Sequence, residues 1–148
     1  MRYIAYGSNM NLEQMAFRCP GSKVVCNGLL YGWKLVFNTH ADIIPTGNDA
    51  NVVPVVVWDI APEDWKMLDR YEGFPKYYVK EEVETVFADG RVENCIAYVM
   101  ADDRKGYEPP YENYFNIILR GCQENHIDVE YLYDALDDSY ANCVMLTF

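Results

Sequence analysis

The distribution of apolar residues along the chain predicts several strands mixed with short helices. The clearest signal is a hairpin with strands over 79–87 and 92–100, because an Asp-Gly pair between them favours a tight turn. Gly28 and Gly32 are predicted to interrupt the strands in the first half of the chain. Pro54 lacks a backbone donor and predicts an edge or a bulge in its strand. The remaining strands are predicted at 2–6, 24–26, 29–31, 33–37 and 52–60.

Four helices are predicted among these strands, without a regular alternation of strand and helix. They begin after Asn11, at Pro62, after Pro109-Pro110 and after Asp128. Asn11 can cap the first helix, and Gln14 three residues later resembles a capping box. Gly73 is expected to end the second helix. Strands interspersed with a few helices indicate an α+β fold, and 148 residues fit a single domain spanning 1–148.

Composition and charge restrict the partners that this chain can have. It is 51% hydrophobic, which is ample for a packed core, and its apolar runs fall well short of the ~20 residues of a membrane helix. The net charge is −11 with only 12 Lys and Arg, so neither nucleic acid nor an anionic membrane is an expected partner. The first residues lack the apolar run of a signal peptide, and a cytoplasmic location is therefore expected.

The cysteines are expected to be buried free thiols. They are Cys19, Cys26, Cys95, Cys122 and Cys143. They form no C-x-x-C pair, and the only histidines are His40 and His126, so no metal site is expected. P-loop and dinucleotide fingerprints are also missing. Metal, nucleotide and covalent chemistry thus lack their usual motifs.

The loop of Gly7, Ser8 and Asn9 is the first candidate site. It lies between a strand and a helix, where glycine lets the backbone approach a ligand and successive N–H groups can hold a carboxylate. An acidic protein that binds a small anion needs such local donors. The alternative is an ordinary strand-to-helix turn with an asparagine cap.

Glu72 is the candidate for acid/base chemistry. Leu68 and Trp65 lie four and seven positions earlier, so the carboxylate shares the apolar face of its helix. Burial and the helix C-terminus are both expected to raise its pKa toward neutrality, as a general acid/base requires. The alternative is a frayed helix end with Glu72 in solvent. Tyr77 and Tyr78 open the next strand, whose alternation turns one of them inward.

Together these features resemble the γ-glutamylcyclotransferase-like family, which includes the AIG2-like proteins. The matching segments are Ala5-Tyr6-Gly7-Ser8-Asn9-Met10, Val55-Val56-Val57-Trp58, Leu68-Asp69-Arg70-Tyr71-Glu72-Gly73, Tyr77-Tyr78-Val79, Pro109-Pro110, Tyr114 and Arg120-Gly121-Cys122. The resemblance implies a small mixed β-barrel with flanking helices. It also implies that Glu72 is the catalytic glutamate and that Tyr78 and Tyr114 are pocket tyrosines. The substrate-holding loop that it implies consists of Tyr6, Gly7, Ser8, Asn9, Met10 and Asn11.

The reaction that the resemblance implies converts a γ-glutamyl group into 5-oxoproline and frees an amino acid or amine. The α-amine of this small-molecule substrate attacks its own γ-carbonyl, so no cofactor is expected. Glu72 takes a proton from the α-ammonium and returns it to the departing nitrogen.

Two alternatives stay open at this point. One is a non-catalytic binding or interaction module on the same fold. The other is an enzyme that removes a γ-glutamyl group from a specialised amine in a biosynthetic pathway. The segment 72–78 looks one residue shorter than in the animal γ-glutamyl-dipeptide enzymes, and the segment after His40 is also short. The sequence therefore leaves open the identity of the leaving group, and likewise the oligomeric state, a homodimer included.

Overall fold

A closed five-stranded barrel forms the centre of the protein, as seen in a computed structural model that describes residues 1–104 and 106–143. The strands are β1 (Tyr3–Ala5), β2 (Lys23–Tyr31), β3 (Trp33–Asn38), β4 (His40–Pro45), β5 (Val52–Asp59), β6 (Tyr78–Phe87) and β7 (Val92–Met100). The barrel order is β1-β5-β2-β6-β7, while β3 and β4 pair as a separate antiparallel hairpin. A parallel bridge between Tyr3 and Ile96 closes the barrel.

Four α-helices accompany the barrel. They are α1 (Leu12–Arg18), α2 (Trp65–Glu72), α3 (Glu112–Glu124) and α4 (Glu130–Ala141). The predicted helix at Pro62 begins with a 3-10 turn, Pro62–Asp64, that leads into α2. The predicted α+β barrel with flanking helices is confirmed. No helix of the described residues combines the length and the apolar character needed to cross a bilayer.

The predicted hairpin is confirmed, whereas the predicted break at Gly28 is wrong. Strands β6 and β7 pair antiparallel from Tyr78 opposite Met100 to Val86 opposite Val92. Strand β2 continues without interruption through Gly28. The glycine allows β6 to approach closely, since a Cβ at this position would lie 2.9 Å from Thr85 Cγ2.

Pro54 occupies a strand that is internal to the barrel but has a locally free edge. Strand β5 lies between β1 and β2, and Pro54 is opposite Leu29 of β2. On its other side β5 pairs with β1 only over residues 56–58, so the missing donor of Pro54 costs no ladder bond there. The barrel carries a bulge in β2, between Val24 and Cys26.

One hydrophobic cluster joins the barrel to the helices that cover it. The largest of its fully buried side chains include Ile4, Met10, Leu30, Phe37, Leu68, Phe87 and Ile118. The five cysteines are free thiols, and all but the half-buried Cys26 are buried.

Candidate active site

The loop that follows β1 forms one wall of the main pocket. Residues 8–10 make one 3-10 turn, in which Ser8 and Asn9 are buried. A Cβ on Gly7 would lie 3.3 Å from Ala41 Cβ and 3.5 Å from Tyr114 Oη. The glycine therefore lets the loop run close against β4 and α3.

Met10 and Asn11 lie beneath this loop and do not line the pocket. Met10 is fully buried. The side chain of Asn11 accepts from the backbone N–H of Gln14 at 3.0 Å, as predicted for a helix cap, and donates to the Ile117 carbonyl at 3.1 Å. The structure places these two residues outside the pocket lining, and the substrate-holding role that the resemblance implies for them stays a prediction.

The pocket has a volume of 660 Å³, a size typical of small-molecule sites. Seven of the nine site residues predicted from the sequence line it: Tyr6, Gly7, Ser8, Asn9, Glu72, Tyr78 and Tyr114. The rest of the wall comes mainly from the end of α2, the β3–β4 turn and the connection from β7 to α3. That part includes Asn38, Thr39, His40, Arg70, Arg104 and Glu108.

Glu72 is the last residue of α2 and faces the pocket. Gly73 caps the helix in the left-handed conformation, at φ 65°, as expected from the sequence. Leu68, one turn earlier, is fully buried, so the apolar face of the helix carries Glu72 inward. Burial raises the pKa of the Glu72 carboxyl to about 7, while Arg18 opposes the rise. The frayed, solvent-exposed alternative for this carboxylate does not occur.

Asn9 links the loop to Glu72. Its Nδ2 donates to Glu72 Oε1 at 3.3 Å and to Tyr3 Oη at 3.0 Å, and its Oδ1 accepts from Arg18 at 2.5 Å. Because a guanidinium can only donate, the amide oxygen must face Arg18 and the amide NH₂ must face the carboxylate. Arg18 therefore fixes the orientation of Asn9.

Arg18 is a site residue that sequence reasoning missed. Its guanidinium carbon lies 3.6 Å from the centre of the Tyr71 ring, and its nitrogens donate to Ser8 Oγ at 3.2 Å and to Gln14 Oε1 at 2.6 Å. The spacing of Gln14 and Arg18, four positions apart on a helix, was the available signal. It predicts their contact but not the packing of Arg18 against the loop.

The two predicted pocket tyrosines converge on the backbone of Ala41. Tyr78 Oη donates to the Ala41 carbonyl at 2.7 Å, and the Ala41 N–H donates to Tyr114 Oη at 3.1 Å. Burial raises the pKa of both phenols, so they stay neutral and can act as hydrogen-bond groups. Tyr78 is thus the inward residue of its pair, while Tyr77 lies at the rim and is 45% exposed.

A second set of aromatic groups supports the pocket from within the barrel. Tyr6 Oη donates to the Tyr98 carbonyl at 2.5 Å, and the Tyr98 hydroxyl donates to the Asp69 carboxylate. Asp69 is paired with Lys80 at 2.9 Å. The rings of Tyr3 and Tyr98 meet edge to face at 5.7 Å. Asp69 lies in the motif that carries the family resemblance, but its tyrosine partner could not be read from the sequence.

His40 also lines the pocket, where its ring meets the Tyr114 ring edge to face at 5.0 Å. Loss of hydration lowers its pKa, so the imidazole is neutral near pH 7. Sequence analysis found no recognisable functional setting for this histidine.

The structure defines a closed β-barrel protein with a pocket in which two phenols converge near the buried carboxyl of Glu72. A model of the family "Gamma-glutamyl cyclotransferase, AIG2-like" matches residues 3–116. The chain belongs to this family, as the sequence motifs predicted.

Curated relatives and solved structures agree with this assignment. The chain is 31% identical to human gamma-glutamylcyclotransferase over 140 residues, which cover 87% of this chain and 73% of that protein. The bovine gamma-glutamylcyclotransferase is 30% identical over 142 residues, with the same shares covered. The structure of a gamma-glutamyl cyclotransferase superposes with a TM-score of 0.77 at 29% identity, covering 96% of this chain and 87% of that one.

The same fold also occurs at lower identity. The Bacillus subtilis protein YkqA superposes with a TM-score of 0.76 at 19% identity, covering 96% of this chain and 55% of that one. At this identity the likeness establishes the fold alone.

Proposed function

We propose that this protein is a γ-glutamyl cyclotransferase, which converts a γ-glutamyl amino acid or amine into 5-oxoproline and the free amine. Relatives that carry this activity in their names support the reaction class. The observation that carries the proposal is the carboxyl group of Glu72, which faces the pocket with its pKa raised to about 7 by burial.

The reaction is an intramolecular acyl transfer. The α-nitrogen of the substrate forms a bond to its own γ-carbonyl carbon, the bond from that carbon to the leaving nitrogen breaks, and a proton passes between the two nitrogens. No electrons are gained or lost, and no water is consumed. The protein therefore has to supply orientation and a proton carrier. A well-oriented intramolecular attack reaches an effective molarity on the order of 10⁵ M or more.

Glu72 is the proposed proton carrier. A carboxyl group with a pKa near 7 can accept a proton and return it at neutral pH with little loss in either direction. The amide of Asn9 holds Oε1 of the carboxylate, and Arg18 holds the amide. The direction of the carboxylate is therefore set before the substrate arrives.

The loop from Gly7 to Asn9 is the proposed site for the α-carboxylate of the glutamyl group. The first N–H groups of a helical turn have no acceptor within the turn and attract an anion. Tyr78 and Tyr114 hold Ala41 in place opposite Gly7 and so keep this part of the pocket narrow. The bound glutamyl chain would then be confined in a bent, ring-closing conformation.

The test is release of 5-oxoproline from a panel of γ-glutamyl amino acids and amines by the wild type and by Glu72→Gln. We expect Glu72→Gln to lose about 10²-fold or more in kcat while it keeps its folded structure. Glu81→Gln is the matched control, because Glu81 is exposed on β6 and outside the pocket. It should retain full activity.

Two results would contradict the proposal. Retained activity in Glu72→Gln would exclude Glu72 as the proton carrier. Binding of the panel by a folded wild-type protein without any 5-oxoproline would exclude the reaction and favour a binding module.

A further inference from the structure

Arg104 lines the pocket from an element that carries neither the loop nor Glu72. It lies in the connection from β7 to α3, at the end of the 3-10 turn Asp102–Arg104. Its guanidinium carbon lies 4.2 Å from the centre of the Tyr77 ring, and its carbonyl accepts from the side chain of Asn38. These contacts hold the arginine at the part of the pocket wall formed by the β3–β4 turn and the start of β6.

Arg104 has no carboxylate partner among the residues that the structure describes. Its Nε is shielded from solvent and has no hydrogen-bond acceptor there. The ion pairs of the described chain use other cations: Arg2, Lys34, Lys80, Arg91 and Arg120. Glu108, an acidic residue of the same connection, accepts from the Thr39 hydroxyl at 2.7 Å.

Two arginines of the pocket wall, Arg70 and Arg104, have no carboxylate partner among the described residues, but only Arg104 has an Nε that is shielded from solvent without an acceptor. Burying a charged group without a partner is unfavourable, and a bound anion would remove that cost. A guanidinium stacked on an aromatic ring still presents the N–H groups of its edge, which match the two oxygens of a carboxylate. The expected ligand group at Arg104 is therefore a carboxylate.

A γ-glutamyl substrate can offer two carboxylates. The α-carboxylate of the glutamyl group is common to all such substrates, and the loop already provides its proposed site. The second belongs to the leaving amino acid and is missing when the leaving group is a simple amine. We propose that Arg104 binds the carboxylate of the leaving amino acid and thereby selects γ-glutamyl amino acids over γ-glutamylamines. This assignment rests on the proposed function and names its substrate class.

The decisive comparison uses two substrates that differ only in that carboxylate, γ-glutamyl-L-alanine and γ-glutamylethylamine. For the wild type we expect kcat/KM to favour γ-glutamyl-L-alanine by roughly tenfold to a hundredfold, the range for one charge-assisted pair. In Arg104→Gln the ratio should fall to near one, with kcat/KM for γ-glutamylethylamine changed by less than about twofold.

Two further variants sharpen the test. Lys76 contacts the same ring, with its Nζ 5.4 Å from the centre of Tyr77, but is not part of the pocket wall. Lys76→Gln removes a positive charge close by and should leave the substrate ratio unchanged. Arg104→Lys keeps the charge without the two-pronged geometry and should give an intermediate ratio. It also serves in place of Arg104→Gln if that variant fails to fold.

The outcomes that overturn the assignment are specific. A wild-type ratio near one excludes selection by the leaving carboxylate. Equal losses on both substrates in Arg104→Gln assign the arginine to the glutamyl group or to folding.

Calorimetric binding of the two compounds to Glu72→Gln keeps this inference separate from the proposed reaction. If the wild type releases no 5-oxoproline from either compound, the proposed reaction is contradicted for these two substrates, and the binding data alone then test the carboxylate site. The carboxylate site is still supported if Glu72→Gln binds γ-glutamyl-L-alanine more tightly than γ-glutamylethylamine and the double variant with Arg104→Gln does not. Equal binding of the two compounds to Glu72→Gln overturns it.

Discussion

Asn9 and Glu72 are 63 positions apart in the chain, and the amide Nδ2 of Asn9 donates to Oε1 of Glu72 at 3.3 Å. This bond ties the loop after β1 to the last residue of α2. Arg18 holds the other end of the same amide at 2.5 Å. The part of the site that is proposed to bind the substrate and the part proposed to move the proton are thus one connected unit.

The raised pKa of Glu72 predicts a pH-dependent loss of stability that Glu72→Gln should remove. Burial raises this pKa from 4.5 to about 7, so the folded state prefers the protonated form. The stabilisation is complete below about pH 4.5 and is lost as pH rises through about 7. We expect the unfolding free energy of the wild type to fall relative to Glu72→Gln by on the order of 3 kcal/mol across this range. Urea denaturation of both proteins at about pH 4.5 and about pH 8 measures it. A difference that does not vary with pH would contradict the raised pKa.

Removal of the Arg18 charge should move the pH dependence of catalysis. Arg18 lowers the pKa of Glu72, so in Arg18→Gln that pKa rises and the acidic limb of kcat/KM shifts to higher pH. At neutral pH we expect a loss of roughly tenfold, because less carboxylate is present and Asn9 is no longer oriented. A pH–rate profile of Arg18→Gln beside Arg18→Lys and Arg120→Gln checks this. Arg18→Lys keeps the charge and should keep the limb near its wild-type position, and the distant Arg120→Gln should match the wild type. If the acidic limb of the Arg18→Gln profile stays at its wild-type pH, the charge of Arg18 does not influence the titration of Glu72.

Gly121→Ala should destabilise the protein although alanine is the better helix former. A Cβ at this position would lie 2.8 Å from Asn11 N and 2.9 Å from the Met10 carbonyl carbon, so α3 and the loop after β1 would have to separate. We expect a loss of roughly 1–3 kcal/mol and a raised KM. Thermal melting and steady-state kinetics measure both, with Asn116→Ala on the exposed side of α3 as a neutral control. A stabilised Gly121→Ala would show that the loop yields without cost.

Tyr78→Phe and Tyr114→Phe should each weaken the wall formed by Ala41. Each variant removes one hydrogen bond to the backbone of this buried residue, at a cost of about 1 kcal/mol. Because both bonds act on one residue, the double variant is expected to deviate from additivity. Chemical denaturation and KM for a γ-glutamyl substrate report the two effects, and the exposed Tyr140→Phe is the control. Unchanged stability in both single variants would mean that neither bond contributes.

Features that depend on neighbouring residues could be predicted from the amino-acid sequence alone. An Asp-Gly pair specifies the turn between β6 and β7, Asn11 caps α1, and Gly73 ends α2 because it adopts φ 65° freely. Helical periodicity alone placed Glu72 on the apolar face of α2, and its raised pKa follows from that placement. The motifs also identified the family, since they combine two segments some sixty residues apart.

The contacts between segments far apart in the chain could not be predicted from the sequence and are known from the folded structure. The continuation of β2 through Gly28 depends on Thr85 of another strand, and the place of Arg18 depends on a loop that packs across its helix. Whether Arg104 has a carboxylate partner depends on every acidic residue that could reach the pocket. Contacts of this kind are governed by barrel closure and by the packing of side chains far apart in the chain. Local propensity and spacing carry no information about them, because the same segment would show the same pattern whichever partner it met.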